Sequence, residues 1–236
     1  MRFKSLHFLA AGAMLCAAAP AFAGTLQVNP VLVAIDDDHR TGSVTVRNEE
    51  ATAVTIRAYP LAWRQSGGAD VYEETAAVIV SPPVFTIPPG ATQLVRVGLR
   101  NAAGANQAYR LIIEEVPEAA RTATGIRVAL RLNLPLYANV LPGAPAELRW
   151  SASRQSDGGW LLEAANPGSG YVRLDHEEAA RATGFTFGDT IAFGTVLPGA
   201  SRQWRLDAST PVADRAALQQ IMRTPDSGAR TAQSDH

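Results

Sequence analysis

The sequence predicts an all-β protein with two β-sandwich domains. Short segments with alternating apolar and polar residues, or rich in β-branched residues, recur between residues 31 and 206, and this pattern is typical of strands. Gly, Pro, Asn and Asp separate the segments, as expected for the tight turns of a sandwich. The second half of the chain also repeats features of the first half, which indicates two copies of one plan.

In the first half, the turn signals include Ser66-Gly67-Gly68 and Pro88-Pro89-Gly90. The predicted strands are 31–35, 43–46, 54–57, 71–72, 77–80, 94–97, 109–113 and 126–132. Asp36-Asp37-Asp38 beside His39 is interpreted as a turn, because Asp favours turns and the sequence offers no second cluster of metal ligands.

After Tyr137 the composition changes. Pro142, Gly143 and Pro145 predict a linker over residues 139–145. Further strands are predicted at 147–150, 160–163, 171–174 and 203–206, with a polar loop around Asp175 and a weak helix over 214–223. The predicted units are therefore an N-terminal domain over 24–140, a C-terminal domain over 141–223, and a polar, disordered tail over 224–236.

The internal repeat pairs turns and strands of the two halves. The matched segments are Pro89-Gly90-Ala91-Thr92 with Pro198-Gly199-Ala200-Ser201, Val95-Arg96-Val97 with Trp204-Arg205-Leu206, and Asn48 before Val54 with Asn166 before Val172. The spacing from each asparagine to its valine is the same. Pro-Gly turns are common in β proteins, so chance similarity is the alternative explanation.

The N-terminus is typical of a secretory signal. Arg2 and Lys4 precede an apolar run over residues 8–19, and Ala21-Phe22-Ala23 is a small-x-small cleavage site. We expect cleavage after Ala23, with an uncleaved anchor as the alternative, and no later apolar run is long enough to span a bilayer. Cys16 is the only cysteine and is removed with the signal, so apolar burial must stabilise the mature chain.

Composition and motifs favour a binding protein over an enzyme. The net charge of −1 gives no reason to expect a nucleic-acid partner. The sequence has no Gly-x-Ser-x-Gly motif, phosphate loop, zinc-spaced histidine pair or mature cysteine nucleophile, and no cofactor is expected. The four tryptophans are interpreted as residues of a sandwich core or rim.

The segment 126–132 has the clearest alternation in the chain. Ile126, Val128, Leu130 and Leu132 alternate with residues that include Arg127 and Arg131, so the four apolar side chains share one face of a strand. Such a row either covers the chain's own core or pairs with another chain. An exposed apolar edge is an aggregation hazard, and proteins that keep one use it to add a strand to a partner's sheet.

Several motifs follow one another in an informative order. They are Val44-Thr45-Val46-Arg47-Asn48, Ser81-Pro82-Pro83, Ile87-Pro88-Pro89-Gly90 through Gln93-Leu94-Val95-Arg96, Tyr109-Arg110-Leu111 through Glu115-Val116-Pro117, the strand 126–132, Asn166-Pro167 and Tyr171-Val172. This succession resembles the PapD-like periplasmic pilus chaperones of the chaperone–usher pathway. The run Leu-Asn-Leu-Pro-Leu-Tyr and the lack of mature cysteines are more similar to the archaic, spore-coat-U-type branch than to the classical one.

The resemblance implies two immunoglobulin-like β-sandwich domains at an angle with a cleft between them. It also implies that Ile126, Val128, Leu130 and Leu132 form a donor strand, which completes the unfinished sandwich of a pilus subunit in the periplasm. The subunit would then pass to an outer-membrane usher. The protein would not insert into the membrane, and when free it could cap its donor edge in a dimer.

The sequence departs from the family at its carboxylate anchor. Family members bind the subunit's C-terminal carboxylate with an Arg and a Lys in the cleft, but these positions fall at or near Leu32 and at Pro135. Neither side chain can pair with a carboxylate. The nearest candidates for a relocated anchor are Arg131, Arg127 and Arg110, although Arg127 and Arg131 would also suit a solvated strand face.

Two further expectations follow. Arg96 is interpreted as the partner of Glu115, or of Glu114, in a structural salt bridge rather than as a ligand-binding residue. The alternative function is a secreted binding module or adhesin with two immunoglobulin-like domains, in which the 126–132 strand is covered by the chain itself. A pilus subunit is disfavoured, because subunits are typically one incomplete domain with an N-terminal donor extension.

Overall fold

The computed structural model describes residues 26–101, 104, 107–117, 129–139, 145, 147–184, 187–188, 191–207, 221 and 230–231. The strands of the first half are β1 (Leu26–Asn29), β2 (Val33–Ile35), β3 (Thr41–Asn48), β4 (Val54–Ser66), β5 (Ala69–Glu74), β6 (Val78–Ser81), β7 (Val84–Ile87), β8 (Thr92–Leu99), β9 (Gln107–Glu115) and β10 (Arg131–Ala138). Two sheets are built from them, in the orders β1-β3-β8-β6 and β2-β10-β9-β4-β5, and β7 also pairs with β4.

The two sheets form a sandwich because each strand places alternate apolar residues on the inner face. Val44 and Val46 of β3 and Val95 and Val97 of β8 are buried on one side. From the other sheet, the buried side chains of the same core include Ile56, Leu111, Ile113, Leu134 and Leu136. The intervening residues, such as Arg96, are exposed, so the period-two pattern of the sequence is the pattern of burial.

The elements of the second half are β11 (Glu147–Arg154), β12 (Trp160–Ala165), β13 (Val172–Arg173), α1 (His176–Thr183), β14 (Thr195–Val196), β15 (Ser201–Leu206) and β16 (Arg230–Thr231). One sheet has the order β15-β12-β11-β16, and β13 pairs with β14. The three tryptophans of this half, at 150, 160 and 204, are buried in its core together with Leu162. Their predicted place in the sandwich is confirmed.

Asn48 is a buried polar residue at the end of β3. Its side-chain nitrogen donates to the carbonyl oxygens of Thr52, at 2.7 Å, and Ile87, at 3.0 Å. Its side-chain oxygen accepts a hydrogen bond from the Glu50 backbone N–H at 2.8 Å. The amide therefore ties the β3–β4 turn to the end of β7.

Asn166 has the same arrangement in the second half. Its side-chain nitrogen donates to the carbonyl oxygens of Gly170, at 2.7 Å, and Val196, at 3.2 Å, and its oxygen accepts from the Gly168 N–H at 3.0 Å. The internal repeat predicted from these asparagines is therefore present in the structure.

The polar segment around Asp175 is a helix, and the prediction of a loop there was wrong. The Asp175 side chain accepts a hydrogen bond from the Glu178 N–H at 2.8 Å, which caps the first turn of α1. Glu177 adds negative charge to the first turn, where the helix dipole favours it. Gly184 ends the helix with a positive φ of 70°.

The tail also differs from its prediction. Arg230 and Thr231 pair with Leu148 and Glu147 of β11, so this part of the expected disordered segment forms a strand. The predicted helix over 214–223 falls mostly outside the described residues, and Ile221 is helical and packs against the second core. The signal segment 1–23 and most of the predicted linker 139–145 also lie outside them. Where the chain is described, no helix is long and apolar enough to cross a membrane.

The turn after β2 was correctly predicted. The Asp36 backbone N–H donates to the carbonyl oxygen of His39 at 3.1 Å, and the Asp36 carboxylate accepts from the His39 N–H. Over the described ranges, no group of three or more His, Cys, Asp or Glu side chains could hold a metal ion.

Candidate functional site

One side of β10 is open beside the predicted donor segment. β9 pairs with the full length of β10, from Arg131 opposite Glu114 to Ala138 opposite Gln107. On the other side, β2 pairs only with Leu136–Ala138. Among the described residues, no strand pairs with this side of 131–135. We call this stretch the open edge; its backbone polar groups are available to a further strand.

The apolar row along this strand becomes less buried toward its N-terminal end. Leu134 and Leu136 are buried in the first core, whereas Leu130 and Leu132 are half-buried and pack against that core. Arg131 points to the opposite face and is exposed. The half-buried leucines therefore keep apolar surface that a second chain could cover.

Two of the four predicted donor residues lie outside the described part of the chain, namely Ile126 and Val128, and so does Arg127. Leu130 directly precedes β10, and its carbonyl oxygen accepts a hydrogen bond from the Glu115 N–H at 2.9 Å. Pairing with β9 therefore extends back to Leu130, and the strand continues beyond the alternating segment 126–132 to Ala138.

Arg131 lies beside an acidic side chain. Its Nε is 3.7 Å from Oε2 of Glu114, and 57% of the Arg131 side chain is exposed. Glu114 also accepts hydrogen bonds from Nε of Arg57 at 2.8 Å and from the Tyr59 hydroxyl at 2.9 Å. Burial acts to raise the pKa of Glu114, but these hydrogen bonds and the two arginines outweigh it and hold the pKa below its usual value. Arg131 therefore already has a carboxylate neighbour, which it shares with Arg57.

Arg110 has a different environment. Its guanidinium carbon lies 3.6 Å from the centroid of the Trp63 ring, within cation–π distance. Its Nε is buried and has no hydrogen-bond partner. Burial and the charge of Asp70 raise the pKa of Tyr72, whereas Arg110 acts to lower it, so all three groups lie close together. The ion pairs formed by the described residues do not include Arg110.

The strand register places Arg110 near Leu32 and Pro135, the two positions at which the resemblance predicts the anchor residues. Pro135 is the cross-strand neighbour of Arg110 on β10. Leu32 packs against the buried cluster that contains Trp63, the residue beneath the Arg110 guanidinium. The Arg110 guanidinium of β9 is therefore a cationic group beside both predicted positions.

The cluster around Trp63 joins the two halves of the chain. Trp63 and Tyr137 are buried together with Leu197 of the second half. The ring of Tyr171 stacks on Tyr137 with a centroid distance of 4.1 Å. Burial raises the pKa of Tyr137 to about 12, so its hydroxyl remains neutral at physiological pH.

The predicted salt bridge between Arg96 and Glu115 was wrong. Arg96 lies in β8 and Glu115 in β9, which belong to opposite sheets. The Arg96 side chain is exposed on the outer face of its sheet, and no ion pair joins it to Glu115 or to Glu114. Glu114 forms a network with Arg57 and Arg131.

Sequence reasoning missed Trp63, Tyr137, Tyr171 and Asp70 as a connected group. Trp63 was expected only in a core or rim, and Tyr137 was noted only as the last residue of the run Leu-Asn-Leu-Pro-Leu-Tyr. One signal was available: Tyr137 lies on the outer face of β10, opposite to Leu134 and Leu136, and an aromatic residue on an outer face indicates a covered surface.

Comparison with known families gives a match over the N-terminal half of the chain. Residues 25–139 match the family described as "Pili and flagellar-assembly chaperone, PapD N-terminal domain". Residues 25–139 therefore form a domain of the PapD-like pilus chaperone family. This match confirms the resemblance inferred from the sequence. The family consists of non-enzymatic chaperones. A comparison with curated proteins finds no match.

Solved structures of pilus chaperones share the fold. The chaperone–tip adhesion subunit complex CsuC–CsuE, from archaic chaperone–usher Csu pili of Acinetobacter baumannii, matches with 24% identity and a TM-score of 0.64, covering 79% of this chain and 89% of that chain. The complex of SafA pilin with the SafB chaperone of Salmonella enterica has 14% identity, a TM-score of 0.55, and coverage of 77% and 84%. The E. coli chaperone DraB matches with 14% identity and a TM-score of 0.54, covering 79% of this chain and 86% of that chain.

These likenesses establish the fold class of this PapD-like chaperone. It is an all-β protein with two immunoglobulin-like sandwich domains, as the sequence predicted. The similar structures include chaperones in complex with a tip adhesion subunit and with a pilin.

Proposed function

We propose that this chaperone binds pilus subunits by donating the open edge of β10 and the apolar row beside it, and delivers them to an outer-membrane usher. The observation that carries the proposal is that, in the described part of the chain, residues 131–135 have a strand on one side only, next to the half-buried Leu130 and Leu132. Ile126 and Val128 continue the same alternation and complete the proposed donor row.

The physical basis is that one strand can satisfy two needs of an incomplete sandwich. An immunoglobulin-like domain that lacks a strand exposes unpaired backbone groups and an open apolar core. The open edge supplies hydrogen bonds, and the row supplies apolar side chains. Burying four such side chains contributes roughly 6–12 kcal/mol before the costs of association and ordering.

The cellular location, the domain division and the family branch are part of the same proposal. The chain carries a secretory signal that is cleaved after Ala23, and the mature protein acts in the periplasm. Its domains are 24–140 and 141–223. The run 132–137 and the likeness to a chaperone of archaic Csu pili support assignment to the archaic branch.

The donor role is tested by charged substitutions in the row. The double variant Val128→Glu with Leu130→Glu should abolish co-purification with the pilin subunit encoded beside this gene, because two carboxylates would enter an apolar core. Ala129→Glu is the matched control, since Ala129 is exposed in the same segment. If the double variant folds and still binds, strand donation by this row is wrong. If it unfolds, the row belongs to the chain's own core.

We further propose that Arg110 is the relocated anchor for the subunit's C-terminal carboxylate. Among the described residues no carboxylate forms an ion pair with Arg110, whereas Arg131 already shares Glu114 with Arg57. An arginine fork binds a carboxylate through two parallel hydrogen bonds, and the Trp63 ring holds the Arg110 guanidinium from one face. Arg127 remains a third candidate from the sequence.

The anchor is tested by comparing matched charge deletions. Arg110→Met should weaken binding of the pilin by at least about tenfold, in line with roughly 1.5–3 kcal/mol for a charged hydrogen bond, and Arg131→Met should change it much less. Adding three glycines to the pilin C-terminus should remove the difference between wild type and Arg110→Met. Equal binding by Arg110→Met and wild type would remove Arg110 as the anchor.

A further inference from the structure

The β4–β5 hairpin touches the second domain through its own backbone and side chains. The Gln65 side-chain amide forms two hydrogen bonds with the backbone around β14. Its Nε2 donates to the Thr195 carbonyl oxygen at 2.7 Å, and its Oε1 accepts from the Leu197 N–H at 3.0 Å. At the tip, the Gly68 carbonyl oxygen accepts from the Gln203 N–H at 3.3 Å. The hairpin is therefore a fixed contact between the domains.

Asp70, at the start of β5, connects this contact to the interior of the first domain. Its Oδ1 accepts hydrogen bonds from Nε1 of Trp63 at 2.9 Å and from Nε2 of Gln65 at 2.8 Å. Its Oδ2 accepts from Nη1 of Arg202 in β15 at 2.9 Å. Only 20% of the Asp70 side chain and 17% of the Arg202 side chain are exposed, so this ion pair is shielded from water and its geometry is constrained.

Trp63 carries the connection onward to Arg110. The indole N–H is held by Asp70, and one ring face lies against the Arg110 guanidinium. The ring is also packed between Tyr72 and Tyr137, with centroid distances of 6.5 Å and 6.1 Å. A change in the Asp70 hydrogen bonds would therefore allow the Trp63 ring to shift, and the Arg110 guanidinium that lies over it would shift as well.

We propose that Asp70 is a positioning residue that couples the orientation of the two domains to Arg110, so that affinity for the subunit's terminal carboxylate depends on the Asp70–Arg202 contact. This inference deepens the proposed function and rests on it. By linkage, a subunit whose C-terminus binds Arg110 also stabilises the domain arrangement that Arg202 and Asp70 hold.

A steric variant tests the domain contact without changing charge. A Cβ at Gly68 would lie 2.6 Å from Cβ and 2.9 Å from the backbone N of Gln203, whereas a Cβ at Gly67 would have nothing within 4 Å. Both glycines have positive φ, at 78° and 59°, so alanine is strained at either position. Gly68→Ala is thus a wedge between the domains, and Gly67→Ala is its matched control.

An electrostatic variant tests the same contact independently. Arg202→Met removes the ion pair with Asp70, and Arg205→Met is the matched control, because Arg205 lies on the same strand and pairs with Asp157 within the second domain. The mature chain has no cysteine once Cys16 is removed. Spin labels at Thr92→Cys and Ser151→Cys, both exposed strand positions, therefore report the distance between the domains.

The experiment measures the label–label distance distribution and the affinity for the neighbouring pilin, with its native C-terminus and with three added glycines. Gly68→Ala and Arg202→Met should shift or broaden the distribution and weaken binding of the native pilin about fivefold or more, with no such loss for the extended pilin. The two controls should match wild type in both measurements.

Distinct results overturn distinct claims. If both test variants fold and keep the wild-type distance distribution, the Asp70–Arg202 contact does not set domain orientation, and the proposal is wrong. If they shift the distribution but bind the native pilin as wild type does, Asp70 does not couple domain orientation to Arg110. If the wild-type chaperone does not bind the pilin at all, the proposed function fails, and this inference fails with it.

Discussion

Asn48 and Asn166 form the same three side-chain hydrogen bonds at equivalent points of the two domains. Each backbone N–H also donates to the alanine of its Pro-Gly-Ala turn, Ala91 at 3.0 Å and Ala200 at 2.8 Å. Both side chains are almost fully buried. A buried amide that is completely hydrogen-bonded fixes one turn geometry, and the chain uses this device once in each domain.

Removing either amide should destabilise its own domain. Asn48→Ala and Asn166→Ala each leave buried carbonyl groups without donors, which costs about 1–3 kcal/mol per unsatisfied group. Urea unfolding followed by tryptophan fluorescence should show a lower midpoint for each variant. Asn133→Ala is the control, because Asn133 is exposed in β10. Wild-type midpoints for both variants would show that the two amides do not stabilise the turns.

The apolar row of β10 should divide into a core end and a surface end. Leu136 is fully buried, so Leu136→Ala should lower the free energy of unfolding by about 2–5 kcal/mol. Leu130 is half-buried, so Leu130→Ala should cost much less stability while weakening pilin binding. Chemical denaturation and a pilin-binding assay on the same variants check both statements. Equal losses of stability would mean that Leu130 is a core residue.

Asp70 should make stability depend on pH in the acid range. Burial acts to raise the pKa of Asp70, but hydrogen bonds from Gln65 and Trp63 and the charge of Arg202 outweigh it, so the pKa lies below its usual value. Because the folded state binds the proton less well than the unfolded state, the stabilisation is complete above about pH 4 and is lost as the pH falls through the lower folded pKa.

The difference in urea midpoint between wild type and Asp70→Asn checks this dependence. It should be largest near neutral pH and should shrink as the pH falls below about 4, the ordinary pKa of an aspartate. A difference that is constant from pH 7 to pH 3 would show that the Asp70 charge contributes nothing and that only its hydrogen bonds matter.

The cap of α1 gives a smaller, local effect. Asp175→Ala should lower stability by about 1 kcal/mol, because the Glu178 N–H loses its acceptor. Asp175→Asn should retain most of the stability, since an asparagine oxygen caps nearly as well. Thermal unfolding of the two variants separates capping from the effect of charge: equal losses would indicate that the negative charge at the helix N-terminus is what matters.

Local patterns identified most of the fold because they act over few residues. The alternation in 43–46 and 94–97 and the Pro-Gly turns predicted strands and their boundaries, and each core face follows directly from period two. The helix at 176–183 was missed because it is short and weakly apolar, and its main signal is the spacing of Asp175 and Glu178. The pairing of 230–231 with β11 is a long-range contact that no local pattern encodes.

The candidate site could be predicted only in part for the same reason. The apolar row was visible along one segment, but the open edge depends on where β2 stops pairing with β10. The choice between Arg110 and Arg131 depends on neighbours from other strands, Trp63 for the first and Glu114 for the second. Asp70 and Arg202 are 132 residues apart, and their contact requires the two domains to be in place.

The central claim is that the open edge of β10 pairs with a strand of the client. The most direct measurement is amide hydrogen exchange of the mature chaperone, free and in a purified complex with the neighbouring pilin. The account predicts that the N–H groups of segment 126–135 that do not bond to β9 exchange fast in the free protein and are strongly protected in the complex, with little change in β3 and β8. A stable complex that leaves exchange in 126–135 unchanged would contradict strand donation.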